Sequence, residues 1–252
     1  MTDKAESPKV ALVTGSATGI GRACALRFAE NGFRVVVNYS RSESDARETQ
    51  RLIEACGVRG LLVQCDVASD AAVRDMLRSV EQEFGRLDVL VNNAGTTWFI
   101  DHKNLEELTE EKWDRILEVN LKGPYFCTRA AVPLLRRSGG GAIVNVSSVA
   151  GLTGEGSSIA YAASKGALNT MTRSLARALG PEIRVNAVCP GPVDTRWLRA
   201  VMTPEELEKR TAHFPMKRPA LPEDVADAIF YLATGTTLTT GQCLVVDGGR
   251  TM

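Results

Sequence analysis

Tyr161 and Lys165 are four residues apart in the segment Tyr-Ala-Ala-Ser-Lys, so a helix would place both side chains on one face. Ser148 lies thirteen residues before the tyrosine, at the end of an apolar segment. A free phenol has a pKa of about 10, and a nearby ammonium lowers that pKa because it favours the phenolate. Together these side chains could move a proton to or from a substrate oxygen, as reduction of a carbonyl group requires. An ordinary helix can carry the same pair, so the pair needs support from other motifs.

A glycine-rich turn at residues 14–22, Thr-Gly-Ser-Ala-Thr-Gly-Ile-Gly-Arg, is the second group with a chemical use. It follows a β-branched segment and opens a helical one. Glycines at such a place permit a tight turn and close approach of the backbone to a pyrophosphate. The free N–H groups of the helix N-terminus would face the phosphates. An ordinary strand–helix turn is the alternative, and the spacing differs from the commoner G-x-G-x-x-G.

The elements that must position these residues alternate along the whole chain. Short apolar, β-branched segments predict strands at 10–14, 34–38, 60–65, 89–91, 142–146, 184–188 and 243–246. Segments of helical period predict helices near 19–31, 43–56, 69–84, 109–137, 159–180 and 222–234. Continuous apolar strands are typical of a parallel sheet covered on both faces. We therefore predict an α/β fold, a single doubly wound Rossmann-type domain with a seven-stranded parallel sheet and helices on both faces.

The domain organisation follows from the same pattern. Residues 1–8 are predicted to be a disordered polar tail, and residues 9–252 a single dinucleotide-binding catalytic domain. The segment near 192–222 lacks a confident element apart from a short helix at 204–211. A long segment of this kind is commonly a lid over a site, with a decorated surface crossover as the alternative.

Composition argues against several classes of partner. The chain has 30 Lys and Arg against 30 Asp and Glu, so its zero net charge gives no signal for nucleic acid or anionic lipid. No apolar run approaches the roughly 18 residues that span a bilayer. His102 and His213 are the only histidines, and the six cysteines are scattered, so no metal site is expected. We expect a cytoplasmic protein.

The motifs taken together resemble the short-chain dehydrogenase/reductase family over about residues 9–250. They stand in the family's order: the glycine turn, Asp66, Asn92-Asn93-Ala94-Gly95, Asn120, Ser148, Tyr161-x-x-x-Lys165, Pro190-Gly191-Pro192-Val193-Asp194-Thr195 and Asp247-Gly248-Gly249. The glycine turn, the strand ends and the C-terminal motif are similar to those of bacterial 3-oxoacyl-[acyl-carrier-protein] reductases.

The resemblance implies an NAD(P)-dependent oxidoreductase acting on a carbonyl and secondary-alcohol pair, with four catalytic positions. Tyr161 would be the general acid in reduction and the general base in oxidation, and Lys165 would lower its pKa and hold the nicotinamide ribose. Ser148 would bond the substrate oxygen; it is preferred to Ser147 because of the family spacing and because neighbours on a strand point to opposite faces. Asn120 would hold a water in a proton relay, unless it is a helix-interior asparagine that bonds locally.

The resemblance also supplies a set of cofactor-binding positions. Asp66 and Val67 would meet the adenine, and the segment after the sixth strand would meet the carboxamide. The full set is Gly15, Ser16, Thr18, Gly19, Ile20, Gly21, Asn38, Tyr39, Ser40, Arg41, Asp66, Val67, Asn93, Ala94, Gly95, Tyr161, Lys165, Pro190, Gly191, Val193 and Thr195.

The end of the second strand predicts which nicotinamide is preferred. No acid stands there to bond the adenosine ribose hydroxyls, as NAD-preferring sites require, and Ser40 and Arg41 could donate to a 2′-phosphate. Thr18 stands where many NADP-dependent relatives place a basic residue. NADP(H) is therefore predicted over NAD(H), modestly. A solvated loop arginine is the alternative reading of Arg41.

The substrate is the least defined part of the prediction. The pocket is expected to include Trp98, Gly154, Glu155, Trp197 and Phe214, with a hydrophobic substrate end. A 3-oxoacyl-carrier-like ketone is favoured, and sugar, polyol or xenobiotic carbonyls are alternatives within the family. The arginines at 129, 136 and 137 could dock an acidic carrier protein or complement a helix dipole.

Two further expectations concern assembly and alternative classes. Small residues on one face of the helix at 159–180, namely Ala163, Ala167, Thr170 and Ser174, would let a second helix approach, and the resemblance implies a homotetramer. A non-catalytic dinucleotide sensor would not need the four catalytic residues that are present. A methyltransferase would have no use for the tyrosine and lysine.

Overall fold

A computed structural model describes residues 7–252 of the chain. Residues 1–6 of the predicted polar tail lie outside the described part. The remaining two tail residues, Ser7 and Pro8, are exposed and belong to no helix or strand. Ser7 is nevertheless held, because Arg86 donates from Nη1 to its carbonyl and hydroxyl oxygens, both at 2.9 Å.

The seven predicted strands form one sheet in which every neighbouring pair is parallel. Their order across the sheet is β3-β2-β1-β4-β5-β6-β7. The order reverses between β1 and β4, and ligands of doubly wound sheets bind in the crevice at such a reversal. The strands are β1 (Val10–Val13), β2 (Arg34–Tyr39), β3 (Gly60–Gln64), β4 (Val89–Asn92), β5 (Gly141–Val146), β6 (Ile183–Pro190) and β7 (Cys243–Val246). The predicted fold class is confirmed.

Ten α-helices are found among residues 7–252. They are α1 (Gly19–Glu30), α2 (Glu43–Ala55), α3 (Asp70–Phe84), α4 (Glu110–Leu117), α5 (Gly123–Arg137), α6 (Ala150–Thr153), α7 (Ile159–Leu179), α8 (Arg196–Arg199), α9 (Pro204–Thr211) and α10 (Pro222–Thr234). Helices α1, α2 and α10 pack one apolar core on one sheet face, and α3, α5 and α7 pack a second core on the other. Successive β1 residues point into opposite cores: Leu12 joins the second and Val13 the first.

One predicted helix is interrupted in the structure. Where the sequence pattern predicts a continuous helix at 109–137, a π-helical turn (Glu118–Lys122) separates α4 from α5. The local cause is the Gly123-Pro124 pair at the start of α5. Proline has no N–H to continue the α-helical ladder, and a Cβ on Gly123 would lie only 2.8 Å from the Val67 side chain. Such turns are frequent at functional sites.

The segment predicted as a lid contains α8 and α9. Helix α9 begins with a capping box in which the Thr203 hydroxyl and the Glu206 carboxylate exchange hydrogen bonds with the opposite backbone N–H. A bridge between Val193 and Ala220 closes the base of the segment. Its function as a lid remains a prediction.

In the part of the chain from residue 7 onward, no helix is long and apolar enough to cross a membrane.

Candidate active site

A cleft of about 1410 Å³ lies at the carboxyl ends of the strands, at the reversal between β1 and β4. The glycine turn and the ends of β2 and β3 line one end of it. Ser148, Tyr161 and Lys165 line the middle, and residues of α8 and α9 line the other end. The topology therefore brings most of the predicted site residues into one continuous space.

The glycine turn leaves no room for side chains. Gly15 has a φ of +61°, and a Cβ there would lie 2.9 Å from the Cα of Ala94. A Cβ on Gly21 would overlap the Gly15 carbonyl oxygen and lie 2.5 Å from the Asn93 amide nitrogen. These two glycines therefore let the turn pack closely against itself and against the segment at Asn93 and Ala94.

Asn38 and Ser16 hold this turn from below. The Asn38 Oδ1 accepts from the Gly15 N–H at 3.0 Å, and its main-chain carbonyl accepts from the Ser16 N–H at 2.9 Å. The Ser16 hydroxyl accepts from the Asn38 N–H and donates to the Val13 carbonyl. Ser16 is fully buried, so its side chain supports the turn and does not line the cleft.

A further support was missed by the sequence analysis. The Arg22 guanidinium donates to the Ala17 carbonyl at 2.7 Å, to the Thr49 hydroxyl at 2.8 Å and to the Asp45 carbonyl at 2.9 Å. It therefore ties the turn to α2. The Thr18 side chain makes no capping bond at the start of α1, so the first N–H groups of that helix face the cleft at Thr18 and Gly19. This arrangement fits a pyrophosphate.

The end of β2 presents one arginine with no side-chain partner. Ser40 and Arg41 are exposed and line the cleft, and within residues 7–252 the Arg41 guanidinium makes no hydrogen bond or ion pair. Tyr39 points away from the cleft into the first core, where it is 8% exposed. The strand alternation explains this, because Tyr39 lies between Asn38 and Ser40 and must face the other side.

Asp66 is oriented by two partners at the end of β3. Its Oδ1 accepts from the Ala68 N–H at 3.0 Å, and its Oδ2 accepts from the Arg115 guanidinium at 2.7 Å. Burial opposes ionisation, but these two donors outweigh it and hold the pKa of the carboxyl below its usual range. Asp66 is thus an ionised acceptor at the edge of the cleft. Arg115, on α4, was not foreseen.

Ser148 and Tyr161 form the reactive pair in the middle of the cleft. Burial raises the pKa of the Tyr161 phenol, and a hydrogen bond with the Ser148 side chain opposes that rise. Helix α7 begins two residues before Tyr161, at Ile159, and the hydroxyl of its N-cap residue Ser158 accepts from the Tyr161 N–H at 3.2 Å. The neighbouring Ser147 is 3% exposed and donates to the Lys165 carbonyl, so its hydroxyl is already engaged in the fold.

Lys165 lies beneath this pair and is nearly enclosed. Its side chain is buried, and Nζ donates to the Val146 carbonyl at 2.8 Å. Nζ also lies 5.6 Å from the centroid of the Tyr161 ring. Burial lowers the pKa of the ammonium to about 8, because a charged group is costly away from water.

Asn120 lies in the π-helical turn and is fully buried. Its Oδ1 accepts from the Thr96 N–H at 2.8 Å, while its Nδ2 donates to the Thr96 carbonyl at 3.0 Å and to the Ser164 hydroxyl at 3.2 Å. The amide therefore fixes the chain after β4. Its Oδ1 accepts one bond and keeps a second lone pair that could accept from a water, so the role of Asn120 in a proton relay stays a prediction beside these local bonds.

The substrate end of the cleft includes three of the five predicted residues: Trp98, Glu155 and Trp197. The Trp197 ring lies edge-on to Tyr161, with centroids 6.2 Å apart and planes at 70°. Gly154 and Phe214 do not line the cleft. Gly154 ends α6 in a left-handed conformation, and Phe214 is 3% exposed, packed beneath α9. An apolar residue of the 192–222 segment can face either the core or the cleft, and the sequence pattern does not distinguish the two.

Two arginines at this end were not predicted. Arg250 lines the cleft and donates to the Glu155 carboxylate at 2.5 Å. Arg210, on α9, lines it without an ion-pair partner among the described residues. The only sequence signal for Arg250 is its position directly after the Asp-Gly-Gly motif.

Comparison with known proteins places the chain among close relatives. A family model described as enoyl-(acyl carrier protein) reductase matches residues 15–251. A protein of Streptomyces violaceoruber, named as a ketoacyl reductase of the granaticin polyketide synthase, is 46% identical over 252 residues, or 98% of each chain. The 3-oxoacyl-[acyl-carrier-protein] reductase of Staphylococcus aureus is 39% identical over 97% of this chain and 98% of its own. A crystal structure from Burkholderia xenovorans, described as a short-chain dehydrogenase/reductase, superposes with a TM-score of 0.91 at 42% identity, covering 97% and 98%.

Proposed function

Because the chain belongs to the short-chain dehydrogenase/reductase family, and is therefore an oxidoreductase of carbonyl and alcohol groups that uses a nicotinamide dinucleotide, we propose that it is an NADPH-preferring ketoreductase with Tyr161 as its general acid. The observation that carries the proposal is that Ser148, Tyr161 and Lys165 line the middle of one cleft that a glycine turn opens at its other end. The hydroxyl groups of Ser148 and Tyr161 could both donate a hydrogen bond to the carbonyl oxygen of a bound substrate.

In the proposed mechanism the chain's own residues manage the oxygen and its proton. The bound nicotinamide supplies the hydride to the carbonyl carbon. Ser148 donates a hydrogen bond to the substrate oxygen and holds it next to the phenol. Tyr161 then gives its proton to that oxygen as negative charge develops. The raised pKa of the phenol keeps the proton in place at neutral pH until the oxygen demands it.

Lys165 supports this transfer as a buried cation. Its ammonium stabilises the phenolate that the proton transfer leaves on Tyr161, and the low local dielectric strengthens that attraction. The bond from Nζ to the Val146 carbonyl fixes the position of the charge on the end of β5. The same ammonium would hold the nicotinamide ribose hydroxyls.

The NADPH preference rests on the end of β2. The Arg41 guanidinium is exposed, lines the cleft and has no side-chain partner in residues 7–252, so it is available to a 2′-phosphate. A guanidinium matches phosphate geometry through two parallel hydrogen bonds. Ser40 adds a neutral donor beside it, and no carboxylate stands at that strand end to repel the phosphate.

For the substrate we propose a 3-oxoacyl-like ketone, free or carrier-linked. The relatives of nearly equal length are named for ketoacyl and 3-oxoacyl reduction, whereas the family model is described as an enoyl reductase. The paired hydroxyls suit carbonyl reduction, because there the oxygen that accepts their hydrogen bonds is also the atom that takes the proton, whereas reduction of an enoyl double bond adds the proton to carbon. We also propose a homotetramer, supported by the small residues Ala163, Thr170 and Ser174, which are exposed on α7.

The experiment that tests the function is a spectrophotometric screen with both nicotinamides. The substrates are a 3-oxoacyl thioester, the matching enoyl thioester, a sugar ketone and an aromatic ketone. We expect the 3-oxoacyl thioester to be reduced with the highest kcat/KM, and NADPH to be preferred. Faster reduction of the enoyl thioester would overturn the carbonyl mechanism, and faster reduction of the sugar ketone would redirect the substrate class.

A further inference from the structure

The substrate end of the cleft contains Arg250, whose ion-pair partner, Glu155, is exposed to solvent. Arg250 is 21% exposed at its side chain, and the Glu155 carboxylate that it contacts is 72% exposed. The Glu155 end of the pair is exposed, and exposed ion pairs contribute little to stability, so another carboxylate can replace Glu155 at small cost. The Arg250 side chain is less exposed than that of Glu155, so water compensates its charge less well and an anion must remain beside it.

The position of Arg250 is built by the fold around it. The Asp247 carboxylate accepts from the Gly249 N–H at 2.8 Å and from the Thr251 N–H and hydroxyl at 2.9 and 2.8 Å. A Cβ on Gly249 would lie 2.6 Å from Pro215, so the turn packs tightly against the lid segment. These bonds wind residues 247–251 into a turn that presents Arg250 to the cleft.

Arg250 shares the cleft with the predicted proton donor, Tyr161. Its partner Glu155 is followed by Gly156, where a Cβ would lie 3.4 Å from the Tyr161 ring. Arg210, on α9, adds a second guanidinium to this end of the cleft, and the described chain gives it no ion-pair partner. Two arginines thus line this end of the cleft, and Glu155 is the acid that pairs with Arg250.

We propose that Arg250 is a specificity-determining residue that binds a carboxylate on the carbonyl substrate, with Glu155 occupying the same guanidinium until the substrate arrives. This inference rests on the proposed ketoreductase function and, of its free and carrier-linked substrates, selects the free oxo acid, because a thioester has no carboxylate for Arg250 to bind. A guanidinium binds a carboxylate through two parallel hydrogen bonds, which fixes the orientation of the substrate as well as its charge. Arg210 adds to the field that attracts the anion.

The test compares oxo acids with their methyl esters, in a series with the carbonyl at the second, third or fourth carbon. The ester keeps the ketone and removes the charge. We expect the wild-type enzyme to prefer the acid at one chain length, and Arg250→Ala to raise KM for that acid about tenfold or more while leaving the ester unchanged. Glu155→Gln should lower KM for the acid, because the competing carboxylate is gone. Equal effects on acid and ester in Arg250→Ala would overturn the proposal.

Arg199→Ala is the matched control. Arg199 lies on α8, pairs with Asp194 at 2.6 Å and does not line the cleft. Its loss should leave the ratio of acid to ester unchanged.

Calorimetry on Tyr161→Phe enzyme with NADPH separates this proposal from the proposed function, because binding is then measured without turnover. If the oxo acid binds more weakly to Tyr161→Phe/Arg250→Ala than to Tyr161→Phe, the carboxylate site is supported. If the wild type then reduces no oxo acid, the proposed function is wrong but the carboxylate site still stands. Acid binding no tighter than ester binding at every chain length sinks the carboxylate site.

Discussion

The ammonium of Lys165 lies over the face of the Tyr161 ring, 5.6 Å from its centroid. Its hydrogen bond goes to the Val146 carbonyl, so the proposed stabilisation of a phenolate by its charge would act through space. Burial moves the two pKa values in opposite directions, up for the phenol and down to about 8 for the ammonium. The pair is therefore suited to release a proton during reduction, and oxidation requires a higher pH to ionise the phenol.

Replacing Tyr161 with Phe removes the transferable proton and keeps the ring. We expect turnover to fall by at least about 10²-fold, the usual contribution of a general acid, while NADPH affinity is kept. Steady-state kinetics and a fluorescence titration of NADPH measure the two effects. Tyr125→Phe is the control, since Tyr125 lies on α5, 43% exposed, and should be without effect. Near-normal turnover in Tyr161→Phe would discard the mechanism.

The pH profile should report the charge of Lys165. The ammonium is present below a pKa of about 8 and is lost as the pH rises through that value. We expect kcat/KM for reduction to be level on the acid side and to decline through about pH 8. Lys165→Arg keeps its charge to much higher pH, because the guanidinium pKa exceeds about 12. The arginine variant should therefore lose this decline, whatever its plateau rate. An unchanged inflection would show that another group titrates there.

The proposed preference for NADPH rests on Arg41. We expect Arg41→Ala to lower the ratio of kcat/KM for NADPH over NADH about tenfold, as loss of one charged hydrogen bond implies. Arg47→Ala is the control, because Arg47 is also exposed but pairs with Glu43 on α2. A wild-type enzyme that prefers NADH would contradict the interpretation of the β2 end, and an unchanged ratio would remove Arg41 as its cause.

The glycine turn should not tolerate a methyl group at Gly21. Its Cβ would collide with the Gly15 carbonyl and the Asn93 amide, which are both fixed by the fold. We expect Gly21→Ala to weaken NADPH binding and to lower Tm. Gly166→Ala, on α7, is the control: its nearest neighbour would be the Gly151 carbonyl at 3.4 Å, and alanine favours a helix. Equal NADPH affinity in both variants would argue against a cofactor at this turn.

The assembly prediction concerns the small residues on α7. Light scattering of the wild type at micromolar concentration should give a mass four times that of the 27.2 kDa chain. Ala167→Arg places a long charged side chain where a second helix would approach and should lower that mass. Arg177→Ala, at the exposed end of the same helix, should leave it unchanged. A monomeric wild type would refute the tetramer.

Most of the fold and the middle of the site could be predicted because their signals are local. A buried parallel strand is a continuous apolar run, and Tyr161 and Lys165 share a helix face at any helix position. The direction in which a side chain points was harder to predict from the sequence. Tyr39 was included with its neighbours, although the two-residue period of a strand turns it into the core. Ser16 and Asn120 are polar residues that the fold uses internally, and the sequence does not show which carbonyl or N–H will face them.

The π-helical turn between α4 and α5 takes up one residue more than an α-helical turn would, because its hydrogen bonds span five residues where those of an α-helix span four. Helix α4 faces the cleft through Arg115, and α5 faces the second core through Cys127 and Leu135. Deleting one residue from Glu118–Lys122 would let the chain continue as a regular α-helix with both faces nearly kept. A deletion within α5 has no wide turn to take it up, and it would turn the residues after it by about 100°. The length of α5 is therefore more constrained than the length of the turn that precedes it.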